Sequence, residues 1–466
     1  MASCWPQSQQ NRPDATDDSQ FGHVAFASGL VGLGVVTVIT LITWPTMPML
    51  LGRRCLRQGR HESSMITVTA PECTRLLDAI EARFCQSPEG GSGATGVRYF
   101  FAPGRINLVG AHLDYSGGDV MPMAVDRGIY AGVRLRDDGR IRLRSIDQDL
   151  EVEVHVAEVG DKAQSDWAWA GYPLGIFRSF QREHGLTQGF DAVFAGNLPM
   201  ASGLSSSAAI EIVTAMALNE IDNTGLSREQ IASMAHRAEN DFVGVRCGIM
   251  DQYASALGKP GHVLWMHCQG PRWEHVPFDP EACEVLVMNT KKPRKLAASG
   301  FNERVAQCAA AREFLCKNVR ERPNLAAFSV AELESCEANM DPVLYRRARH
   351  VVTEMARIAA GAAALRQHDY AALGAQLNAS HISTATDYAV SCEELDVITD
   401  AARACDAVLG ARLTGAGFGG CAIALIKPGH RDEVAAHVRQ VFEDRFSVVP
   451  GFDLLRIGGG PGEVTV

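Results

Sequence analysis

Residues 199–211 read PMASGLSSSAAIE, and they join an alternating, β-branched segment at 190–195 to an alanine-rich segment with apolar residues at helical spacing. The pattern predicts a strand, a turn of small residues and a helix that begins near Ser205. Backbone N–H groups at a helix N-terminus lack intrahelical partners and the helix dipole is positive there, so an anion can be held without a basic side chain. The hydroxyl groups of Ser205, Ser206 and Ser207 can bind phosphate oxygens or Mg²⁺. A serine cap on a buried helix is the ordinary interpretation, and only motifs elsewhere in the chain favour a phosphate site.

The charge and cysteine content exclude several classes of protein. The chain has 466 residues, a formal net charge of −10 and no basic stripe interleaved with aromatic residues, so nucleic acid is not an expected partner. An acidic protein that handles a polyphosphate needs Mg²⁺ and helix N-termini for counter-charge. The 13 cysteines are scattered and form no CxxC pair, which indicates reduced cytosolic thiols and neither a zinc site nor a disulfide framework.

Residues 1–64 differ from the remainder and form a non-core N-terminal extension. Residues 24–51 carry no charge, exceed the about 20 residues that a transmembrane helix needs, and precede several arginines. Two interpretations stay open: a membrane anchor with the rest of the chain on the cytoplasmic side, or a gene-model artefact upstream of a true start near Met65. We favour a cytoplasmic protein beginning near Met65, because Pro45 and Pro48 weaken the apolar helix.

Three further segments carry candidate chemistry. Residues 102–122 read APGRINLVGAHLDYSGGDVMP, and their Arg, His and Asp suit a ligand with many hydroxyl groups. We expect this segment to be a loop outside the core, because it is rich in glycine and polar groups. Glu239 and Asp251 flank a glycine-containing loop and can serve as metal ligand and catalytic base, or lie on the surface as most acids do. Residues 412–421 read RLTGAGFGGC, a glycine density that brings backbone close to a ligand or to an opposing domain.

The periodicity of apolar residues predicts a strand-rich first half and a helix-rich second half. Strands are predicted at 97–101, 129–135, 141–145, 150–156, 190–195, 262–267, 283–290 and 422–426, and helices at 67–85, from about 173, and at 205–218, 228–242, 302–318, 344–367, 370–381 and 392–409. The shift in composition predicts one domain over residues 65–270 and a second over residues 271–466.

Taken together, the motifs resemble those of the galactokinase branch of the galactokinase, homoserine, mevalonate and phosphomevalonate (GHMP) kinase superfamily. The matching pieces are the sugar motif from Gly104 to Tyr115, the serine loop from Gly203 to Ala208 and the glycine cluster from Leu413 to Cys421. Their order and spacing make a chance match improbable. The resemblance implies a two-domain α+β fold with the active site in the cleft between the domains.

The resemblance also implies a role for individual residues. Asp251 matches the catalytic aspartate, and Arg105 matches the arginine that keeps it ionised and stabilises the transferred charge. Ser206 or Ser207, with Glu239, falls where the superfamily binds Mg²⁺. The other matches are the sugar-binding positions Ala111, His112, Asp114, Gly248 and Phe301, and the ATP-binding positions Trp167, Ser202, Gly203, Leu204, Ser205, Ser206, Ser207 and Ala208.

The implied reaction is transfer of the γ-phosphoryl group of ATP to the anomeric hydroxyl of galactose, with Mg²⁺ as cofactor. Three departures from the galactokinase pattern bear on which sugar is bound. Where this chain has Ala111, Leu113 and Phe301, galactokinases have Glu, usually Thr, and a Tyr that contacts the sugar. Galacturonokinases share the Ala-His pair, and losing a carboxylate there relieves repulsion against a C6 carboxylate on the ligand. A kinase of a C6-modified galactose and a catalytically silent sugar sensor therefore remain alternatives. We expect a monomer that binds only small molecules, with a membrane contact only if residues 24–51 are genuine.

Overall fold

The computed structural model describes residues 65–67, 70–85, 96–148, 150–199, 203–293 and 297–465. The uncharged segment at 24–51, the glycine-rich stretch at 90–93 and Ser202 lie outside the described residues. Among the residues described, no helix combines the length and the apolar character that a bilayer crossing requires.

The described chain forms a mixed α+β fold, as the sequence predicts. Its strands are β1 (Met65–Thr67), β2 (Arg98–Val109), β3 (Asp119–Arg136), β4 (Arg140–Ser145), β5 (Leu150–His155), β6 (Gly189–Gly196), β7 (His262–His267), β8 (Arg272–Pro277), β9 (Glu284–Asn289), β10 (Val408–Leu413), β11 (Cys421–Ile426), β12 (Gly451–Leu455) and β13 (Gly462–Thr465). Its helices are α1 (Pro71–Cys85), α2 (Gly171–His184), α3 (Ser206–Ile221), α4 (Arg228–Arg237), α5 (Met250–Leu257), α6 (Ala297–Asn318), α7 (Val330–Glu334), α8 (Pro342–Arg366), α9 (Tyr370–Thr386), α10 (Glu393–Arg403) and α11 (Arg431–Phe446).

The strands assemble into two sheets. The larger has the order β1-β13-β2-β3-β6-β4-β5, with β7 paired to β3 and β8 paired to β7. The smaller is the antiparallel sheet β10-β11-β9-β12. Strand β13 pairs with β2, so that Val464 lies opposite Tyr99, and the last described strand lies in the same sheet as the first two, β1 and β2. The domain boundary near residue 270 stays a prediction.

The predicted loop over residues 102–122 is wrong at both ends, since β3 already begins at Asp119. Strand β2 continues through this segment to Val109, and Ala102, Ile106 and Leu108 are fully buried. Gly104 is required there, because a Cβ at this position would lie 2.6 Å from the backbone carbonyl oxygen of Leu204. Polar residues can be buried in this strand because they find internal hydrogen-bond partners, which composition alone does not reveal.

The helix after the serine loop is confirmed as α3, and it determines where the loop sits. This helix packs against β2, α2, α4 and α5, and its residues from Ala208 to Asn219 are buried. A helix that is apolar on all sides is typical of a core position. The position of its N-terminus is therefore fixed by the burial of the helix from Ala208 onward.

Other helix predictions were wrong at their ends. The helix predicted over 67–85 begins only at Pro71, because residues 65–67 pair with β13. The helix predicted over 392–409 ends at Arg403, and Val408 instead begins β10, opposite Ile426. The helix predicted over 228–242 changes at Ala238 to a π-helical turn, Ala238–Val243. The wider turn places Glu239 inside the protein, where it is 4% exposed.

Candidate active site

The pairing of Arg105 with Asp251 forms the centre of the candidate site. Arg105 lies in β2, is 5% exposed, and directs Nε and Nη2 to Oδ1 of Asp251 at 2.8 and 2.6 Å. Its Nη1 donates to the backbone carbonyl of Gly203 at 2.7 Å. The Ser205 hydroxyl donates to the other carboxylate oxygen, Oδ2, at 2.5 Å. The structure thus brings the predicted catalytic pair into contact with the serine loop.

The described part of the serine loop leads directly into α3. The backbone N–H of Arg105 donates to the Leu204 carbonyl at 3.1 Å, which holds the loop against β2. Ser205 has a left-handed backbone conformation, with φ of 58°, and its side chain makes no capping bond to the helix. Its hydroxyl is used by Asp251 instead, so the N–H groups that begin α3 are left to bind an anion. Ser206 beside them is exposed, and Ala208 is buried.

A buried acidic group lies next to this helix. Gln252, which follows Asp251 in the chain, donates from Nε2 to Glu239 Oε2 at 2.5 Å and to Glu211 Oε2 at 3.1 Å. The Cys247 thiol donates to the same Glu239 oxygen at 3.3 Å. Burial, and then the charge of Asp251, raises the pKa of Glu239 to about 7. Burial and then Glu239 also raise the pKa of Glu211, because two carboxylates in one apolar site resist ionisation together.

The donor set of this region fits Mg²⁺. The Ser207 hydroxyl lies close enough to Glu239 to oppose the rise in the pKa of that carboxyl, so a carboxylate and a hydroxyl converge at the start of α3, with the exposed Ser206 beside them. Mg²⁺ prefers such oxygen ligands, and in kinases it is held by one or two carboxylates together with substrate phosphates. Within the described residues no group of three or more His, Cys, Asp or Glu side chains could hold a metal by itself.

Asp114 of the sugar motif lies against Gly248, in the loop that leads into α5 and Asp251. A Cβ on Gly248 would lie 1.9 Å from Asp114 Oδ2, so only glycine leaves room for this carboxylate. Burial, and then the charge of Asp251, raises the pKa of Asp114 to about 6. The structure therefore places two acidic side chains of the prediction, Asp114 and Asp251, within electrostatic reach of each other.

His112 is the second polar group of the sugar motif. Its Nδ1 forms a 2.8 Å hydrogen bond with the Tyr115 hydroxyl. Its Nε2 is buried and makes no hydrogen bond of standard length and angle within the described residues. Burial, followed by the charges of His350 and Arg412, lowers the pKa of His112 to about 3. A neutral imidazole with one open nitrogen is suited to a sugar hydroxyl.

Phe301 lies beside this imidazole in α6. Its ring centroid is 5.9 Å from that of His112 and 5.1 Å from that of Tyr115. Ala111 and Leu113, which flank His112 in the chain, are 3% and 0% exposed. The aromatic surface is of the kind that packs against the apolar face of a sugar ring.

Buried side chains of α8 hold the backbone at the start of the sugar motif. Glu354 Oε1 accepts the N–H groups of Gly110 and Ala111 at 2.9 and 3.3 Å, and His350 Nε2 lies 2.9 Å from the Ala111 carbonyl. Burial would raise the pKa of Glu354, but His350, Arg357 and other partners together lower it to about 2. An ionised carboxylate thus fixes the backbone that precedes His112.

Trp167 lies in the interior of the N-terminal part. It is 5% exposed, and its ring stacks on Phe242 with centroids 6.2 Å apart and an interplanar angle of 20°. Packing in a core is the commoner use of tryptophan. Contact between Trp167 and adenine stays a prediction.

Three family models match the chain. The N-terminal domain of GHMP kinases matches residues 171–259, the galactose-binding signature of galactokinases matches residues 90–135, and the C-terminal domain of GHMP kinases matches residues 362–444. The first two segments include the serine loop and the sugar motif respectively, and the third runs from the end of α8 into α11.

Curated proteins and a solved structure agree with these models. The galactokinase of Halalkalibacterium halodurans is 37% identical over 377 residues, which cover 79% of this chain and 93% of the relative. This chain belongs to the galactokinase family. The galactokinase of Bacillus subtilis is 36% identical and covers 79% of this chain, with 95% of its own length matched. The crystal structure of Lactococcus lactis galactokinase complexed with galactose is 34% identical, covers 83% of this chain and 99% of its own, and has a TM-score of 0.78.

Membership of the galactokinase family places the chain among sugar kinases, which transfer a phosphoryl group to an alcohol acceptor. Mevalonate kinase from Methanococcus jannaschii shares the fold, with a TM-score of 0.56 at 18% identity. The two-domain GHMP kinase fold expected from the motifs is therefore confirmed.

Several residues of this galactokinase-family site were not predicted. Gln252, Glu211, Tyr115, Glu354 and His350 all contact residues that were predicted, yet none was singled out. Glu211 gave one signal, because it is the only charge between Ser205 and Leu218. No signal in the sequence singles out Glu354 or His350, because charged residues at helical spacing are usually exposed to solvent.

Proposed function

We propose that this protein transfers the γ-phosphoryl group of ATP to the anomeric hydroxyl of galactose and so produces galactose 1-phosphate. One observation carries the proposal: Arg105 and Asp251 pair with each other and meet the serine loop at Gly203 and Ser205 respectively, while Asp251 also lies within electrostatic reach of Asp114. Phosphoryl transfer requires a nucleotide tail and an acceptor hydroxyl to be held together, and this contact joins the two predicted halves of the site.

The nucleotide end of the site is proposed to be the start of α3. Backbone N–H groups near Ser206 would bind phosphate oxygens, and the predicted segment from Ser202 to Ala208 would enclose them. Ser206 or Ser207, together with Glu239, would hold Mg²⁺. When bound, this ion supplies counter-charge to the β- and γ-phosphates, which an acidic protein otherwise lacks. Trp167 is the proposed neighbour of the adenine.

The acceptor end is proposed to use Asp251 as the group that receives the hydrogen bond of the anomeric hydroxyl. Each carboxylate oxygen has two lone pairs, and Ser205 uses only one on Oδ2, so an acceptor position remains there. Arg105 fixes the carboxylate through Oδ1 and contributes positive charge beside the transferred group. His112 and Asp114 would bind other hydroxyls, with Phe301 against the ring.

A second candidate substrate is galacturonate or another C6-modified galactose, and Ala111 favours it. Ala111 brings no carboxylate to the sugar motif, so a C6 carboxylate on the ligand would meet less repulsion than in relatives with Glu at this position. The carboxylate nearest in the fold, Glu354, is already occupied by Arg357 and by backbone N–H groups. Galactose stays the main proposal, because no described cation was identified as a partner for a C6 carboxylate.

The test is an ATP-consumption assay over galactose, galacturonate, arabinose and N-acetylgalactosamine. We expect galactose to give the highest kcat/KM, and Asp251→Asn to abolish turnover while nucleotide binding persists. The matched control is Asp222→Asn, an exposed aspartate after α3, which should keep full turnover. Sugar binding without turnover would instead indicate a silent sensor.

Ala111→Glu should raise galactose use relative to galacturonate, and an unchanged ratio would remove Ala111 from the sugar site.

We propose a monomer, because Arg105, Asp251 and the serine loop make their contacts with one another within one chain. Small molecules are the only partners that the proposal requires. A cytoplasmic location stays a prediction made from the cysteine content.

A further inference from the structure

A series of hydrogen bonds runs behind His112 into the C-terminal half of the chain. His112 Nδ1 and the Tyr115 hydroxyl are 2.8 Å apart, the hydroxyls of Tyr115 and Tyr388 are 2.7 Å apart, and the Tyr388 hydroxyl is 3.1 Å from the Cys308 thiol. Tyr388 and Cys308 are 0% and 4% exposed. We call these four residues the His112 series. No step of the proposed phosphoryl transfer uses its last three members.

The imidazole at the head of this series is held in one orientation. The backbone of His112 is left-handed, with φ of 59°. Its ring lies between Tyr388 and Phe301, with centroid distances of 5.0 and 5.9 Å. Since Nδ1 is bonded to Tyr115, Nε2 is the ring atom that remains for a ligand.

A neutral imidazole has one N–H donor and one acceptor nitrogen, so the direction of the series decides what Nε2 offers. If Tyr115 donates to Nδ1, the imidazole proton must sit on Nε2. If Nδ1 donates to Tyr115, then Nε2 is an acceptor. The two tautomers would select opposite partners on the sugar, because a hydroxyl must accept from one and donate to the other.

The Cys308 thiol at the end of the series favours the first direction. In that direction the Cys308 thiol, a weak donor, begins the series and both phenol hydroxyls donate to oxygen or nitrogen. In the opposite direction the Tyr388 hydroxyl donates to sulfur, which is a weak acceptor.

We propose that Tyr115, Tyr388 and Cys308 are positioning residues that keep the proton of His112 on Nε2, so that the imidazole donates a hydrogen bond to a sugar oxygen. His112 faces a sugar only if the proposed function is correct. The series itself belongs to the ligand-free protein and can be tested without any sugar.

The primary test is the tautomer of His112 in ligand-free protein. Protein labelled with ¹⁵N-histidine is examined by long-range ¹H–¹⁵N correlation spectra, which distinguish a proton on Nδ1 from one on Nε2. The chain has 14 histidines, so the His112 signals are assigned by their loss in His112→Gln. We expect the Nε2–H pattern. An Nδ1–H pattern in the wild-type protein would overturn the proposal.

Variants then test whether the series controls the tautomer. Tyr115→Phe and Tyr388→Phe should both give a mixture of the two patterns, and Cys308→Ala should give the smaller shift expected on losing a weak donor. Tyr370→Phe is the matched control for a buried phenol, since its hydroxyl accepts from the Asp279 N–H at 2.6 Å outside the series. Wild-type spectra in all three series variants would overturn the proposal.

The controls separate this outcome from misfolding and from a failure of the proposed function. Cys316→Ala, on the same helix as Cys308, should leave the His112 pattern unchanged. If a tyrosine variant does not fold, the wild-type spectrum and Cys308→Ala still decide. In Tyr115→Phe the sugar KM should rise about fivefold, the effect of one hydrogen bond, while kcat changes less than about twofold. If no sugar is phosphorylated, the proposed function fails but the tautomer result stands.

Discussion

Replacing Asp114 with Asn should stabilise the protein and weaken sugar binding at the same time. Burial, and then the charge of Asp251, raises the pKa of Asp114 from 3.8 to about 6, so the ionised side chain is unfavourable in the folded protein. Asn has nearly the same shape and no charge, and therefore removes this cost. It also removes a carboxylate that the proposed function uses to bind sugar hydroxyls.

The magnitude follows from the pKa difference of about two units, which corresponds to at most about 3 kcal/mol at about 1.4 kcal/mol per unit. Asp114 is partly exposed at the site, so water screens part of this cost and we expect about 1–2 kcal/mol. The folded protein keeps the proton to a higher pH than the unfolded chain does. The free energy of unfolding therefore falls as pH rises from about 4 to about 6 and stays lower above that range.

The assay compares urea unfolding of wild type and Asp114→Asn at about pH 4, 6 and 8, because other groups that titrate in this range cancel in the difference. The variant should match wild type at the lowest pH and exceed its free energy of unfolding at the highest. Asp222→Asn, an exposed control, should show no such trend. At the highest pH the variant should have a sugar KM at least about tenfold above wild type. A stability difference that does not change with pH, or a less stable variant at high pH, would refute the reasoning.

Three further substitutions test other contacts of the site. Arg105→Lys loses the forked contact to Asp251 but keeps the charge, so kcat should fall about a hundredfold with ATP binding retained; an unchanged kcat would contradict the assigned role. Glu354→Gln cannot accept all of its present donors, so urea unfolding should show a loss of about 3 kcal/mol, and a neutral effect would mean that this carboxylate is dispensable. Gly248→Ala places a Cβ 1.9 Å from Asp114 Oδ2, so steady-state kinetics should show a rise in sugar KM of about tenfold with the ATP KM unchanged; equal effects on both would point to general disruption.

The sequence predicts the chemistry-bearing segments better than it predicts their surroundings. The serine loop and helix α3 were predicted because a turn of small residues and a helical apolar pattern are local properties of the chain. The contact between Arg105 and Asp251 joins residues 146 positions apart, and only the family resemblance suggested it. Local patterns cannot supply such a pairing, because it depends on how β2 and α5 pack.

The errors have a common physical cause. Residues 102–109 were predicted to be exposed because they contain glycine and polar groups, but Arg105 and Asn107 are buried with hydrogen-bond partners inside the protein. Composition shows that burying a polar group would cost free energy. It does not show whether the fold supplies a hydrogen-bond partner that offsets this cost. The same reason explains why Glu354, fully buried and ionised, was not recognised.

Some site residues are held through their backbone and others through their side chain, and this difference determines at which positions a substitution can alter substrate specificity. The backbone at Ala111 is fixed through its N–H and carbonyl groups, by Glu354 and His350, and these bonds do not depend on the side chain. The side chain at this position can therefore differ from the glutamate of other galactokinases without moving His112 or Asp114. Asp251, in contrast, has its side-chain oxygens bound by Arg105 and Ser205, so any change there alters the loop and the phosphate end together. We therefore expect specificity to vary at Ala111 and Phe301 while the phosphoryl-transfer residues stay constrained.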